Sequence, residues 1–407
     1  MADKVVLAYS GGLDTSVAVC WIKEKYGLDV VTLTVNLGGE GSDAQAIKDR
    51  AKKCGAVASY VMDIREKFVK HYIFPALQAN AMYEGVYPLA TALGRPLIAK
   101  TLVEIARKEH AVAVAHGCTG KGNDQVRFDV AVQALAPDLK VIAPAREWDM
   151  TDRKVEIEYA KKHGIPVPVT VNKIYSVDEN LWGRSIEGGL LEDAMREPPE
   201  EIYAWTKSPK EAPAEPGYLE IGFDRGLPVS IDGETLDGVS LIQHLNEIAG
   251  KHGIGRIDHI ENRLVGIKSR ENYEAPAAVT LLAAHQGLEA LTLSKDQQRF
   301  KALVAQQFAD LIYNGLWFSA MRQDLYAYVR STQRYVSGTV RLRLHKGVAT
   351  VVGRESKASL YHHGLSTYGK GDSFDHSSAK GFIHLWGLPV RTQGQAQPGT
   401  QSETTEE

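Results

Sequence analysis

Between Val5 and Pro166 the chain alternates short apolar runs with amphipathic stretches. Val5–Tyr9 is continuously apolar, as a parallel strand covered on both faces would be. In the stretch that follows, Val17, Ala18, Trp21 and Ile22 fall on one side, which predicts a helix closed by Gly27. Val30–Val35 and Val57–Met62 predict two more strands. Between them, Ser42-Asp43-Ala44-Gln45 opens a capping-box helix that ends near Gly55. Ala111–Ala115 and Val141–Ala143 predict a fourth and a fifth strand, each after a helical stretch. A last helix, Asp152–His163, runs into Gly164-Ile165-Pro166. This alternation implies an α/β fold, a doubly wound parallel sheet with helices on both faces. Ligands of such sheets bind at the carboxyl ends of the strands, where Ser10 and His116 fall.

Beyond Pro166 the periodicity changes. Residues 196–216 are rich in Pro and Glu and read as an exposed connection. From 217 onward short strands mix with helices around Leu241–Ala249 and Asp296–Tyr313. Thr339–Val352 alternates through Val340, Leu342 and Leu344, with His345-Lys346-Gly347 as a hairpin turn. The tail from Gln393 is polar and acidic and is expected to lack order. The pattern divides the chain into 1–168, a second mixed α+β domain at 169–365, and a C-terminal helix and tail at 366–407.

Bulk properties narrow the setting. A chain of 407 residues is long enough for two or three cores. A formal charge of −3 carries no basic footprint for nucleic acid. The run Val5–Tyr9 is too short for a signal peptide, and no stretch of about 18 apolar residues suggests a membrane helix. Three cysteines, Cys20, Cys54 and Cys118, are widely spaced and fit neither a disulfide framework nor a zinc site. A cytoplasmic protein is expected.

The candidate chemistry begins at Ser10-Gly11-Gly12-Leu13-Asp14-Thr15-Ser16. Two glycines let backbone approach a ligand closely. Ser10, Thr15 and Ser16 add hydroxyls, and the next helix aims its free N–H groups and dipole at the loop. Together these suit a phosphate. No Lys follows the glycines as in a Walker A loop, and no third glycine completes a dinucleotide fingerprint. The Asp14 carboxylate would repel phosphate, so capping, bracing or reaching a magnesium ion are its open roles. A second polar loop, Gly117-Cys118-Thr119-Gly120-Lys121-Gly122-Asn123-Asp124, follows a strand. Asn123 suits a helix N-cap there, or a ligand. Asn123 and Arg127 share a helix face. Arg127 has a fork suited to a carboxylate, or to an ion pair with Asp124 or Asp129. Lys121 is open to phosphate, carboxylate or solvent. Cys118 reads as packing.

The loop SGGLDTS resembles that of the N-type ATP-pyrophosphatase superfamily, whose members cleave ATP between its α and β phosphates. More specifically, "LAYSGGLDTS", "RPLIAK", "HGCTGKGNDQVRF", "EGGLLED", "GRIDHIENRLVGIKSRENYEAP" and "GFIHL" resemble the argininosuccinate synthase family along essentially the whole chain. The resemblance implies an adenine nucleotide alpha-hydrolase-like sheet and the joining of citrulline and aspartate as ATP becomes AMP and pyrophosphate. It also implies Mg2+ with the nucleotide and a cytoplasmic homotetramer formed through the helix His376–Trp386. ATP would meet Ala8, Tyr9, Ser10, Gly11, Gly12, Leu13, Asp14, Thr15, Ser16, Val35 and Gly117. Aspartate would meet Thr119, Asn123 and Asp124. Citrulline would meet Tyr87, Asn123, Arg127, Ser176, Ser185, Glu261 and Tyr273. No covalent nucleophile and no fixed metal site are implied, and positioning falls to Asp124 and Arg127. Three places depart from the family: Ala92 stands where many members have a serine, with Thr91 beside it, Leu181–Ile186 differs from the common loop, and Cys118 replaces a usual alanine.

Two other readings are weighed. Amidotransferase relatives would carry a glutaminase cysteine, and RNA-modifying relatives would carry paired cysteines or a basic domain. A non-catalytic adenine-nucleotide module would not need the constellations at 117–127 and 255–276.

Overall fold

The structure is a computed structural model that describes residues 2–39, 43–150, 153–166 and 174–397. It comprises two compact units, Met1–Ala358 and Ser359–Glu407.

The first unit opens with a five-stranded parallel sheet. Its strands are β1 (Lys4–Ala8), β2 (Asp29–Asn36), β3 (Ala58–Asp63), β4 (Ala113–Ala115) and β5 (Lys140–Ile142), in the order β3-β2-β1-β4-β5. Val5, Val6 and Leu7 are fully buried because successive side chains point to opposite faces and both faces are covered. Val5 and Leu7 join a core with Val17, Ala18 and Ile22 of helix Leu13–Tyr26, while Val6 joins Leu102 and Ala106 of helix Ala90–Lys108. Gly27, at φ +66°, closes the first helix. The second helix, Ala44–Lys53, is capped by the Asp43 side chain, which accepts from Gln45 N–H. Ser42 lies outside the described residues. So does Asp152, and the helix it was expected to open is described as Arg153–Lys162. Since β1 connects outward to β2 while β4 lies on its other side, the loops after β1 and β4 flank the switch point of the sheet.

Two antiparallel sheets follow. One joins β6 (Ser176–Asn180), β7 (Gly183–Glu187), β11 (Arg256–Asn262) and β12 (Lys268–Glu274) in the order β11-β12-β7-β6. The other joins β8 (Gly217–Asp224), β9 (Leu227–Ile231), β10 (Glu234–Thr235), β13 (Gly338–His345) and β14 (Val348–Glu355) in the order β10-β9-β8-β13-β14. The hairpin between β13 and β14 turns at Lys346 and Gly347, both at positive φ, as a two-residue turn requires. Helices Gly238–Lys251, Pro276–Thr292, Lys295–Tyr313 and Ala320–Thr332 supply much of the second core.

Two expectations are corrected. Residues 196–216 are not merely an exposed connection, for Ile202, Thr206, Ser208 and Ala212 are buried. Ile202 packs with Ile186 and Leu191, and the stretch around Thr206 is held by Glu274, a carboxylate with no exposure. It accepts the backbone N–H groups of Ala204, Trp205 and Thr206, each at 2.9 Å, and pairs with Arg184. In the second unit, Gln393–Ala396 belongs to a helix, Leu388–Ala396, rather than to an unstructured tail. Helix His376–Trp386 precedes it, with Asp375 as its cap.

Candidate active site

The loop after β1 is braced from behind and open in front. Gly11 adopts φ +78°, which favours glycine, and its carbonyl accepts from Arg50 Nη1 at 2.7 Å. Tyr9 and Ser16 turn inward and share a hydrogen bond of 3.0 Å, and burial pushes the Tyr9 phenol up to about 12. Ser10 Oγ lies 3.1 Å from Thr15 Oγ1 and accepts from Gly12 N–H. Gly12 is the N-cap, in extended conformation, and no side chain caps this helix end. Ser16 N–H to Gly12 C=O opens the helical ladder, so the amides of Leu13, Asp14 and Thr15 precede it. That is the geometry of an anion site.

A cleft of about 1590 Å³ opens on this loop. Of the expected nucleotide residues, Ala8, Tyr9, Ser10, Gly12, Leu13, Asp14, Thr15, Val35 and Gly117 line it, and Ser176 lines it as well. Gly11 and Ser16 do not form its wall. Arg95, Asp178, Arg263 and Lys268 line other parts.

The loop after β4 is held by a relay. His116 Nδ1 accepts from Cys118 N–H, so Nε2 carries the proton that faces Asp129 at 2.8 Å, and Arg146 pairs with Asp129. Cys118 packs against the core that holds Val6 and Phe128 and also lines the cleft, and burial pushes its thiol up to about 12. Asn123 is not the N-cap. Gly122 occupies that place and Asn123 is the first residue of helix Asn123–Leu135. Its side chain is used elsewhere, with Oδ1 accepting from Leu264 N–H at 2.9 Å and Nδ2 donating to Tyr313 Oη at 2.8 Å. Asp124 sits between Arg95 Nε at 2.8 Å and Arg127 Nη1 at 2.9 Å. Burial raises its pKa, but the two guanidinium groups outweigh that and hold it below the usual carboxylate range. Arg127 is 3% exposed, and its Nε donates to the Tyr313 carbonyl. Among the described residues its Nη2 has no hydrogen-bond partner. Thr119 and Lys121 are exposed on the loop, apart from this buried group.

The remaining expected residues come from the four-stranded sheet and from Tyr87. Asp178 pairs with Ser185 and Ser185 with Tyr273, while Glu261 pairs with Ser269. Because a strand has period two, Ser176, Asp178, Ser185, Glu261, Ser269, Glu271 and Tyr273 share one face of this sheet. Tyr273 Oη donates to Glu261 Oε2 at 2.5 Å and Tyr313 Oη donates to Oε1 at 2.7 Å. The Tyr87 ring stacks on Tyr273 at 4.2 Å, and its hydroxyl accepts from Thr91 N–H. Ala92 is fully buried in its helix. Arg263 bridges Glu187 and Glu271. Burial, reinforced by the nearby Glu187 carboxylate, pushes Glu271 up to about 8. The structure thus brings Tyr87, Asn123, Asp124, Arg127, Glu261 and Tyr273 into one network with Tyr313. Ser176, on the same sheet face, lines the cleft, and Ser185 Oγ donates to the Asp178 carbonyl at 3.4 Å.

Three residues of this network were not singled out from sequence. Arg95 opens the quoted RPLIAK segment, but nothing local says that it meets Asp124 and Asp178. Asp178 is one of many exposed-looking acids. Tyr313 carried no signal beyond ending a helix.

The chain matches two family models: the arginosuccinate synthase N-terminal HUP domain over residues 4–166 and the arginosuccinate synthase C-terminal domain over residues 175–393. It is 62% identical to an argininosuccinate synthase of Dehalococcoides mccartyi, covering 99% of both chains. It is 57% identical to that of Oceanobacillus iheyensis, covering 96% of this chain and 93% of the relative. Against that of Dictyoglomus turgidum it is 57% identical, over 95% and 96% of the two chains. The loop after β1 and the buried network around Tyr313 therefore stand in a known setting: the chain belongs to the argininosuccinate synthase family.

Proposed function

We propose that the protein joins citrulline and aspartate to form argininosuccinate, converting ATP to AMP and diphosphate, in arginine biosynthesis. A ureido carbon is a poor electrophile, so its oxygen is first adenylylated, and the aspartate amine then displaces AMP. Neither step needs an enzyme nucleophile; both need positioning and charge stabilisation.

The observation that carries this reading is a matched pair of buried charges. The Arg127 guanidinium lies 4.9 Å from the Tyr313 ring centroid, and Tyr313 donates to Glu261. A buried cation with one unpaired nitrogen and a buried carboxylate thus bracket one side chain. Those signs suit the carboxylate and ammonium of an α-amino acid. In this assignment Arg127 takes the α-carboxylate and Glu261 the α-ammonium of citrulline, with Tyr87, Asn123, Ser176, Ser185 and Tyr273 around it. Ala8–Ser16, Val35 and Gly117 take ATP, and the amides ahead of the helical ladder take its phosphates. Thr119, Asn123 and Asp124 take aspartate.

Magnesium bound with the nucleotide would neutralise charge on the departing diphosphate. Asp14, exposed on the cleft wall beside the loop, is a donor of the right chemistry to face it. A homotetramer is supported by helix His376–Trp386, whose Phe382, Ile383, Leu385 and Trp386 are all exposed. Cytoplasmic residence without membrane partners is part of this reading, and the charge of −3 carries no basic footprint for nucleic acid. Among the described residues, no helix is long and apolar enough to cross a membrane. The division at 1–168, 169–365 and 366–407 is kept as the working description of the domains.

The test supplies labelled ATP with each amino acid in turn. AMP and diphosphate formed only when citrulline is present support the reading. ADP and inorganic phosphate as primary products contradict it.

A further inference from the structure

We propose that Tyr313 is a positioning residue for the amino-acid subsite, its hydroxyl fixing both the Asn123 amide and the Glu261 carboxylate; this rests on the reading of that subsite as the citrulline site. Tyr313 ends helix Lys295–Tyr313, far in sequence from every residue assigned to substrate. It is fully buried.

The direction of each hydrogen bond can be deduced. Leu264 N–H can only donate, so the Asn123 atom it meets at 2.9 Å is the carbonyl oxygen. Asn123 Nδ2 therefore faces Tyr313 Oη and donates to it, at 2.8 Å. The phenol has one proton, and it goes to Glu261 Oε1 at 2.7 Å. Tyr273 gives its proton to the other oxygen of the same carboxylate. Glu261 thus receives two charge-assisted bonds that hold its plane, and its remaining lone pairs are left for a cation.

The ring is fixed as firmly as the hydroxyl. It stacks on Tyr83, with centroids 3.5 Å apart and planes 6° from parallel. Arg127 donates to its carbonyl at 2.9 Å and lies over the ring. Just beyond, Gly315 has φ +75°, and a Cβ there would come within 2.9 Å of Arg127 Cα. The chain after Tyr313 therefore runs directly against the backbone of Arg127. A single tyrosine touches Asn123, Arg127 and Glu261, three residues assigned to citrulline.

Tyr313→Phe removes the hydroxyl and keeps the ring. We expect the KM and calorimetric Kd for citrulline to rise about tenfold, the size of one charge-assisted hydrogen bond, with KM for ATP changed less than about threefold. In a Glu261→Gln background the same change should add little, because the hydroxyl acts through that carboxylate. A purely structural tyrosine would instead lower the melting temperature, leave the ratio of the two KM values unmoved and add fully in the double variant; that result overturns the inference. If the phenylalanine chain does not fold, 3,5-difluorotyrosine at 313 keeps shape and hydroxyl while strengthening donation and weakening acceptance. An unchanged citrulline Kd in that chain overturns the inference too. Wild-type protein separates the two claims: normal turnover with an indifferent Tyr313→Phe rejects only the role of Tyr313. A wild type that neither binds citrulline nor forms AMP rejects the functional reading and this inference together.

Discussion

In the proposed assignment, the loop after β1 and the four-stranded sheet solve recognition in opposite ways. The loop is contiguous, Ala8–Ser16, and its binding groups are largely backbone amides set by one glycine at positive φ and one helix start. The sheet face gathers side chains from β6, β7, β11 and β12, completed by Tyr87, helix Asn123–Leu135 and Tyr313. A polyanion needs many donors of one kind, which a helix N-terminus already provides. An amino acid needs one cation and one anion at set separation, and these side chains must be buried and individually held. The lesson is that the first kind of site tolerates surface placement, while the second depends on the core around it.

The sharpest way to break this comparison uses two buried carboxylates on the same sheet. Glu274 accepts three backbone N–H groups, the Thr206 hydroxyl and Arg184, so its bonds are all internal. Glu274→Gln removes the buried charge that three backbone N–H groups and Arg184 meet, although Arg184 keeps Glu179 at 3.5 Å, and should cost about 3 kcal/mol or more of stability, read by denaturant unfolding. Substrate affinities of the folded fraction should be nearly unchanged. Glu261→Gln should do the reverse, weakening citrulline binding by about 1.5–3 kcal/mol with a small change in stability and in ATP affinity. Equal behaviour of the two variants would mean that the sheet has no dedicated ligand face.

The loop is tested by Gly12→Ala. Gly12 has φ −77°, and a Cβ there would meet only Ser10 Oγ, at 3.4 Å. The fold therefore accommodates alanine, and the cost falls on close approach of a ligand. ATP affinity should drop by about 1–2 kcal/mol by calorimetry, with melting unchanged. Unchanged ATP affinity would mean that this face of the loop does not meet phosphate.

Much of this was legible in the sequence, and the gaps have physical causes. Strand–helix alternation locates β1 to β5 because burial on both faces leaves unbroken apolar runs. The phosphate loop is legible because its chemistry is local. Asn123 was open to an N-cap role because an Asn side chain suits that place, yet a tertiary partner, Tyr313, claims the amide and Gly122 takes the cap. Residues 196–216 look solvated because their composition does. Glu274, whose second oxygen also pairs with Arg184, draws the backbone of Ala204–Thr206 over it, and Ile202 packs with Ile186 and Leu191. Arg95, Asp178 and Tyr313 meet their partners only through long-range pairing, which no local spacing encodes.

A further effect concerns pH and is spread over several pH units. The Glu271 pKa is raised in the fold from 4.5 to about 8, so between these values the folded protein keeps a proton that the unfolded chain has lost. Stability should therefore fall as pH rises through that window, and Glu271→Gln should flatten the slope by up to about 1.4 kcal/mol per pH unit. Melting curves from pH 5 to about 8.5 for both proteins read the difference. Parallel curves would show that Glu271 ionises freely.

The central claim is that the loop and the sheet act on one reaction, the loop holding the phosphates while the sheet presents the ureido group. Citrulline labelled with heavy oxygen at the ureido carbonyl tests it most directly. The account predicts that the label appears in AMP, one atom for each diphosphate released. Unlabelled AMP, or ADP with inorganic phosphate, would contradict it.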